Sequence, residues 1–204
     1  MKQPLEDVSL LVVLAGPAGS GKTTLCERLV AEGKNVERVV TCTTRQPREG
    51  EKDGVDYHFL DDAQFDRAIN TGAFLEWAKV HTNRYGVLKS VIQEKLGSRI
   101  DIVMNVDVQG VANIRRAANE DELLSKRLGT IFILPPDLEV IRERLRGRGK
   151  DDEAEIERRV QTARREVELW PEFDYVLTTR SRDEDFAALQ SIVAAEKLRS
   201  ARLV

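Results

Sequence analysis

The chain has 204 residues, 41% of them hydrophobic and 33% charged, with a formal net charge of −3. That length suits one α/β domain with inserts, and the near-neutral balance excludes a general attraction to nucleic acid or acidic membranes, so any anion site must be local. Two cysteines, Cys26 and Cys42, make no disulfide framework or metal-ligand spacing. No apolar run approaches membrane-spanning length, and MKQPLEDVS at the start lacks a signal-peptide core, so a cytoplasmic protein without a membrane partner is expected.

Leu10 to Ala15 is an uninterrupted apolar run, the pattern of a strand covered on both faces of a parallel sheet. It leads into Gly16-Pro17-Ala18-Gly19-Ser20-Gly21-Lys22-Thr23, a match to G-x-x-x-x-G-K-[ST], and Thr24 onward continues with helical spacing to near Gly33. The glycines let successive backbone N–H groups approach phosphate oxygens, and the helix that follows points its positive end at the same anion. Lys22 adds a charge for the β- and γ-phosphates, and the Thr23 hydroxyl can ligate Mg²⁺. Strand, loop and helix in this order imply a nucleoside-triphosphate site.

Val36 to Thr41 reads as a short strand. The stretch from Cys42 to Leu60 is too charged and too rich in Gly and Pro for a helix, and its end alternates like a strand. Asp61-Asp62 caps a helix with Phe65, Ala68 and Ile69 on one face, stopped at Gly72. Phe74 to His81 reads as a strand, Asn83-Arg84-Tyr85-Gly86 as a turn, and Lys89 to Leu96 as a short helix. Ile100 to Val106 is the next buried strand, followed by Asp107 and a helix over Val111 to Ala118. Leu128 to Leu134 is another strand, ended by Pro135-Pro136. Asp137 caps a helix through Leu145, broken by Arg146-Gly147-Arg148-Gly149-Lys150-Asp151. Glu153 to Glu168 is a charged helix with a thin apolar stripe of Ile156, Val160 and Ala163. Asp174 to Thr178 is the last strand, and Glu184 to Arg199 the closing helix. Strands alternating with helices imply a parallel sheet with right-handed crossovers.

Arg45 and Arg48 flank Pro47 in the irregular segment, and two guanidinium forks on a short, stiffened loop can grip one phosphate. TTRQPREGEKDGVDYHFL, GAFLEWAKVHTNRYG, NVDVQG, FILPPDLEVIRERLRGRG and FDYVL together resemble guanylate kinase, collinearly over about residues 8 to 197. The resemblance implies ATP:GMP phosphotransfer with Mg²⁺ and ATP as phosphoryl donor, on a P-loop core with a parallel β-sheet flanked by helices. It implies an α+β insert for the monophosphate at residues 41–92 and a helical lid at 142–169, the core being 1–40, 93–141 and 170–204. Positions matching the family's GMP contacts are Thr41, Arg45, Arg48, Glu51, Tyr57, Glu76, Tyr85, Asn105 and Asp107. Those matching the ATP side are residues 16–24, Arg144 and Arg148, with Arg159 as a further lid arginine and Asp107 beside Thr23 on the metal side. Lys22, Arg45, Arg148 and Arg159 are the catalytic candidates.

The chemistry agrees with that assignment. A phosphate acceptor is already ionised, so no general base is needed, and His58 and His81 have no acid–base partner nearby in sequence. Catalysis reduces to aligning two anions and neutralising charge. Glu76 is the candidate for base choice, because a carboxylate accepts both N1–H and N2–H₂ of guanine whereas adenine offers an acceptor at N1.

Three positions depart from the family pattern. Val87 stands where Ser or Thr usually donates to guanine O6, Asn105 replaces an aspartate, and Thr179 replaces an asparagine near the adenine of ATP. Weaker base discrimination is therefore expected. Competing readings are a guanylate-kinase-like interaction domain without turnover, a kinase of another small phosphorylated acceptor, and a GTPase switch. The intact Gly21-Lys22-Thr23 opposes the first, Glu76 with Tyr57 and Tyr85 opposes the second, and the absence of an N-K-x-D-type motif opposes the third. Oligomeric state is not legible.

Overall fold

The computed structural model describes residues 8–80, 82–147, 149 and 152–203. In chain order the elements are β1 (Leu11–Ala15), α1 (Lys22–Glu32), β2 (Val36–Arg38), β3 (Cys42–Thr43), β4 (His58–Phe59), α2 (Asp62–Asn70), β5 (Phe74–Val80), β6 (Asn83–Leu88) and α3 (Lys89–Gly97). There follow β7 (Asp101–Asn105), α4 (Val108–Asn119), α5 (Glu122–Arg127), β8 (Leu128–Leu134), α6 (Leu138–Gly147), α7 (Glu153–Val167), β9 (Tyr175–Thr178) and α8 (Arg182–Lys197).

A five-stranded sheet in the order β2-β7-β1-β8-β9 is parallel throughout. Its central strand shows why the apolar run has no polar face. Leu11, Val13 and Ala15 pack on one side with Ile92 and Leu96 of α3 and Val111 and Ile114 of α4. Val12 and Leu14 pack on the other with Leu25 and Leu29 of α1 and Phe186 and Leu189 of α8. Both faces are covered by helices, so alternation would have left polar groups in a dry core.

A second sheet, ordered β4-β3-β6-β5, is built from residues 42 to 88, with β3 and β4 parallel and the other pairs antiparallel. Here the expectation for Asn83-Arg84-Tyr85-Gly86 is corrected: these residues belong to β6, paired with β5 from Val80↔Asn83 to Phe74↔Leu88. Gly86 is needed for a close approach rather than a turn, since a Cβ there would lie 2.8 Å from the Phe74 ring. Pairing of β5 with β6 shifts register between Phe74 and Glu76. Strict alternation would put Phe74, Glu76 and Ala78 on one face. The bulge instead sends Phe74 and Trp77 onto Phe65 of α2, with ring centroids 4.5 and 6.3 Å apart, while Leu75 enters the main core and Glu76 lines a cavity beside it.

α6 and α7 form a separate pair held by Ile141, Leu145, Ile156, Val160 and Ala163, so the thin stripe on the charged helix buries against its neighbour. The predicted strand from Val36 is shorter than expected, ending at Arg38. α5 and the 3-10 turn Ser200–Arg202 lack any clear sequence signal. That turn closes the chain onto β8: Arg202 pairs with buried Glu196 and donates to the carbonyls of Lys126 and Leu128. Among the described residues, no helix is long and apolar enough to cross a membrane.

Candidate active site

The chemistry-bearing side chains gather at the carboxyl edge of the parallel sheet, where ligands bind in open α/β folds. The loop after β1 folds back tightly. Gly16 has φ +136°, and a Cβ there would meet the carbonyl oxygen of Ile133 at 2.5 Å, so only glycine lets the loop lie against β8. Gly21, also at positive φ, is the N-cap of α1. Lys22 Nζ donates to the carbonyl oxygens of Gly16 and Pro17 at 2.6 and 2.8 Å, curling its ammonium over the loop. Among the described residues, the buried Ser20 hydroxyl has no hydrogen-bond partner, and the Thr23 and Thr24 side chains stand exposed on the first turn of α1. Ala18 is exposed at the loop's tip, and Gly19 sits against Ile141 and Arg144. A cavity of about 670 Å³ opens beside this loop, walled by Thr24, Arg28, Arg144, Gly147, Arg180 and Arg182 among others. Arg144 Nη1 donates to Gly19 O at 3.0 Å, tying α6 to the loop.

A smaller cavity of about 210 Å³ lies between the two sheets, lined by Arg38, Thr41, Glu76, Tyr85, Val87, Asn105 and Asp107 with several apolar neighbours. Burial, then repulsion from Asp107, pushes the Glu76 carboxyl up to about 7. Asp107 caps α4, one oxygen accepting from Gly110 N–H at 2.7 Å. Its charge also reaches Glu166 near the end of α7, whose carboxyl is raised first by burial and also by Asp107, while Lys22 pulls it the other way. One line of charges thus runs from the base of the small cavity to the phosphate loop. The hydroxyl of Thr23 and the outer oxygen of Asp107 make no hydrogen bond among the described residues, and both are hard oxygen donors of the kind Mg²⁺ takes.

Arg45 follows β3, whose Thr43 pairs with the cavity-lining Tyr85 of β6. It donates to both oxygens of Glu51 at 2.8 and 3.0 Å and lies over the Tyr57 ring, 5.2 Å from its centroid. Tyr85 stands near enough to hold the Arg45 guanidinium's charge in place, and its ring meets Tyr57 edge-on at 6.2 Å. Glu51 also accepts from Arg48 N–H at 2.7 Å, so one carboxylate organises the loop and leaves the Arg48 guanidinium exposed. Those two contacts, Arg45 first, hold the Glu51 carboxyl below its ordinary range.

The family model for guanylate kinase matches residues 9–196. The chain belongs to the guanylate kinase family. It is 38% identical over 194 residues to the guanylate kinase of Syntrophotalea carbinolica, covering 95% of this chain and 89% of that one. It is 36% identical over 195 residues to that of Zymomonas mobilis, covering 96% and 88%. A crystal structure of guanylate kinase from Anaplasma phagocytophilum superposes with a TM-score of 0.70 at 28% identity, covering 97% of this chain and 91% of that one.

Of the positions the guanylate kinase resemblance singles out, Thr41, Glu76, Tyr85, Asn105 and Asp107 line one cavity, with Arg45, Arg48, Glu51 and Tyr57 grouped on the segment after β3. Residues 16–24 and Arg144 form the second group. Arg159 pairs with Glu155 one turn earlier on α7 at 2.9 Å. Arg148 and His81 lie outside the described residues. Val87 is buried and Thr179 is buried with an unpartnered hydroxyl. Sequence reasoning missed Glu166, and Arg38 borders the small cavity without having been singled out. Glu166 follows Ala163 by three, hence shares its helix face, and Arg38 is the charge at the end of a short edge strand. Neither thiol belongs to the site's chemistry: burial pushes Cys26 up to about 12 and Cys42 up to about 11.

Proposed function

We propose that this chain transfers the γ-phosphoryl group of ATP to GMP, giving ADP and GDP. The observation that carries it is Asp107, which borders the small cavity beside Glu76 and also faces Glu166, itself within reach of the Lys22 charge. These charges link the small cavity to the loop after β1, which supports an acceptor site and a donor site lying side by side. Residues 16–24 wrap the ATP phosphates, Lys22 neutralising the β- and γ-oxygens. Arg45, Arg48, Tyr57 and Tyr85 hold the GMP phosphate, Glu51 setting the aim of Arg45 in the meantime. Thr41, Glu76 and Asn105 face the base. Arg144, Arg148 and Arg159 bring further positive charge to the transferring group as residues 142–169 close over residues 41–92 and the core. Thr23 and Asp107 would hold Mg²⁺, which supplies charge neutralisation between β- and γ-phosphates.

Steady-state ADP release with GMP, dGMP, AMP, IMP and UMP tests the reading. GMP is expected to be the fastest acceptor, and turnover is expected to vanish in Lys22→Met. An AMP rate equal to or above that with GMP overturns it.

A further inference from the structure

Glycine is among the weakest helix formers, so a glycine inside a helix asks for a reason. Gly110 lies in the first turn of α4, three residues after the Asp107 cap, and its backbone is helical, a conformation any residue adopts. The reason is therefore space. A Cβ at this position would stand 2.9 Å from Cβ of Val106 and 3.3 Å from Oε1 of Glu76, both closer than side-chain atoms ordinarily pack.

The second of those contacts locates the Glu76 carboxylate. β5 and α4 meet where Leu75 and Val111 share the main core, and the next residue of β5 brings its Oε1 onto the bare patch that Gly110 leaves. Among the described residues that carboxylate accepts no hydrogen bond, so packing fixes where it stands. Gly110 also gives its N–H to Oδ1 of Asp107 at 2.7 Å. One residue thus holds Asp107 through its N–H and admits Glu76 through the side chain it lacks, and both carboxylates border the small cavity.

We infer that Gly110 is a positioning residue: its missing side chain lets the Glu76 carboxylate lie against α4, where both oxygens can accept from N1–H and N2–H₂ of guanine. The inference rests on GMP being the acceptor and on Glu76 reading its base. A methyl group at 110 would be caught between Val106 and Glu76. The Val106 Cβ is fixed to the backbone just past β7, so the flexible carboxylate is the partner that yields. A tilted carboxylate cannot keep two hydrogen bonds to one flat base edge, because such bonds weaken steeply once misaligned.

IMP makes this measurable, since its base keeps N1–H and lacks the N2 amino group. The test compares kcat/KM for GMP and IMP in the purified full chain, Gly110→Ala, Glu76→Gln and the double variant. The wild type is expected to favour GMP by about tenfold or more, the worth of one hydrogen bond to a charged group. Gly110→Ala should reduce that preference to about threefold or less, raise KM for GMP and leave KM for ATP unchanged. In the Glu76→Gln background, Gly110→Ala should alter the preference by less than about twofold, because the two substitutions act through one contact. Should Gly110→Ala fail to fold, Gly110→Ala with Val106→Ala, which removes the Val106 Cγ2 at 3.2 Å, is measured against Val106→Ala alone. Equal slowing of GMP and IMP, or the same loss of preference with Glu76 and with Gln at position 76, overturns the assignment and leaves the kinase reading intact. If the wild type turns over no GMP, both fall.

Discussion

At the scale of single residues, the base contact proposed for Glu76 would tie acceptor choice to pH. Its carboxyl titrates near 7 because burial and Asp107 both oppose its charge, while only the ionised form accepts both guanine donors. Activity toward GMP is therefore expected to climb through about pH 7 and level off above it. The GMP phosphate itself ionises near pH 6, so Glu76→Gln is the control: its profile should keep only that lower step, with kcat/KM down by roughly a hundredfold or more. Stability moves the opposite way. Between the ordinary 4.5 and about 7, the unfolded chain gives up this proton while the fold retains it, so stability falls as pH rises across that window. Above it, Glu76→Gln should be more stable than wild type by about 1–3 kcal/mol in urea titrations. Gly86 makes a second, steric point. Gly86→Ala would push a methyl into the Phe74 ring at 2.8 Å, which should destabilise by about 1–3 kcal/mol. Because Tyr85 and Val87 flank it in the small cavity, KM for GMP should rise and KM for ATP hold.

At the scale of elements, the α6–α7 pair buries its own small cluster apart from the sheet, so its integrity can be probed locally. Leu145→Ala should cost about 2–4 kcal/mol within that cluster. Amide exchange should accelerate in residues 138–147 and 153–167 and stay unchanged in β1 and β7, with kcat falling as Arg144 loses its fixed approach to Gly19. Acceleration spread evenly across the sheet would contradict that partition. The same elements show what a sequence can display. β1, β7 and β8 are legible because strands covered on both faces must be apolar throughout, and α2 because its Asp61 cap is local; α8 starts two residues before the Glu184 read from the sequence, at Arg182, where the Ser181 cap sets it. The bulge at Leu75 is not, since the pairing of β5 with β6 that re-aims Glu76 is a property of two strands. Asn-Arg-Tyr-Gly looked like a turn for the same reason: Gly86 answers to the Phe74 ring. In the site, the phosphate loop was readable from spacing alone. The candidate acceptor residues came from the family resemblance, and the charge of Glu166 beside them becomes visible only when the end of α7 is brought to the sheet edge.

At the scale of the whole molecule, the proposed donor and acceptor sites draw on separate residues, so they should respond to ligands separately. A ligand that binds only the folded state stabilises it by mass action, about 2.7 kcal/mol at a hundred times its Kd. For a chain of 204 residues that corresponds to a rise of about 5–10 °C in Tm. ATP and GMP should each produce such a rise on the wild type. Lys22→Met removes the ammonium that curls over the phosphate loop, so it should suppress the ATP increment and spare the GMP one. Arg45→Ala frees Glu51 and strips the acceptor loop of its guanidinium, so it should do the reverse. Should either substitution erase both increments, the donor and acceptor phosphates would share one set of contacts, and the division of labour between the phosphate loop and the second sheet would be wrong.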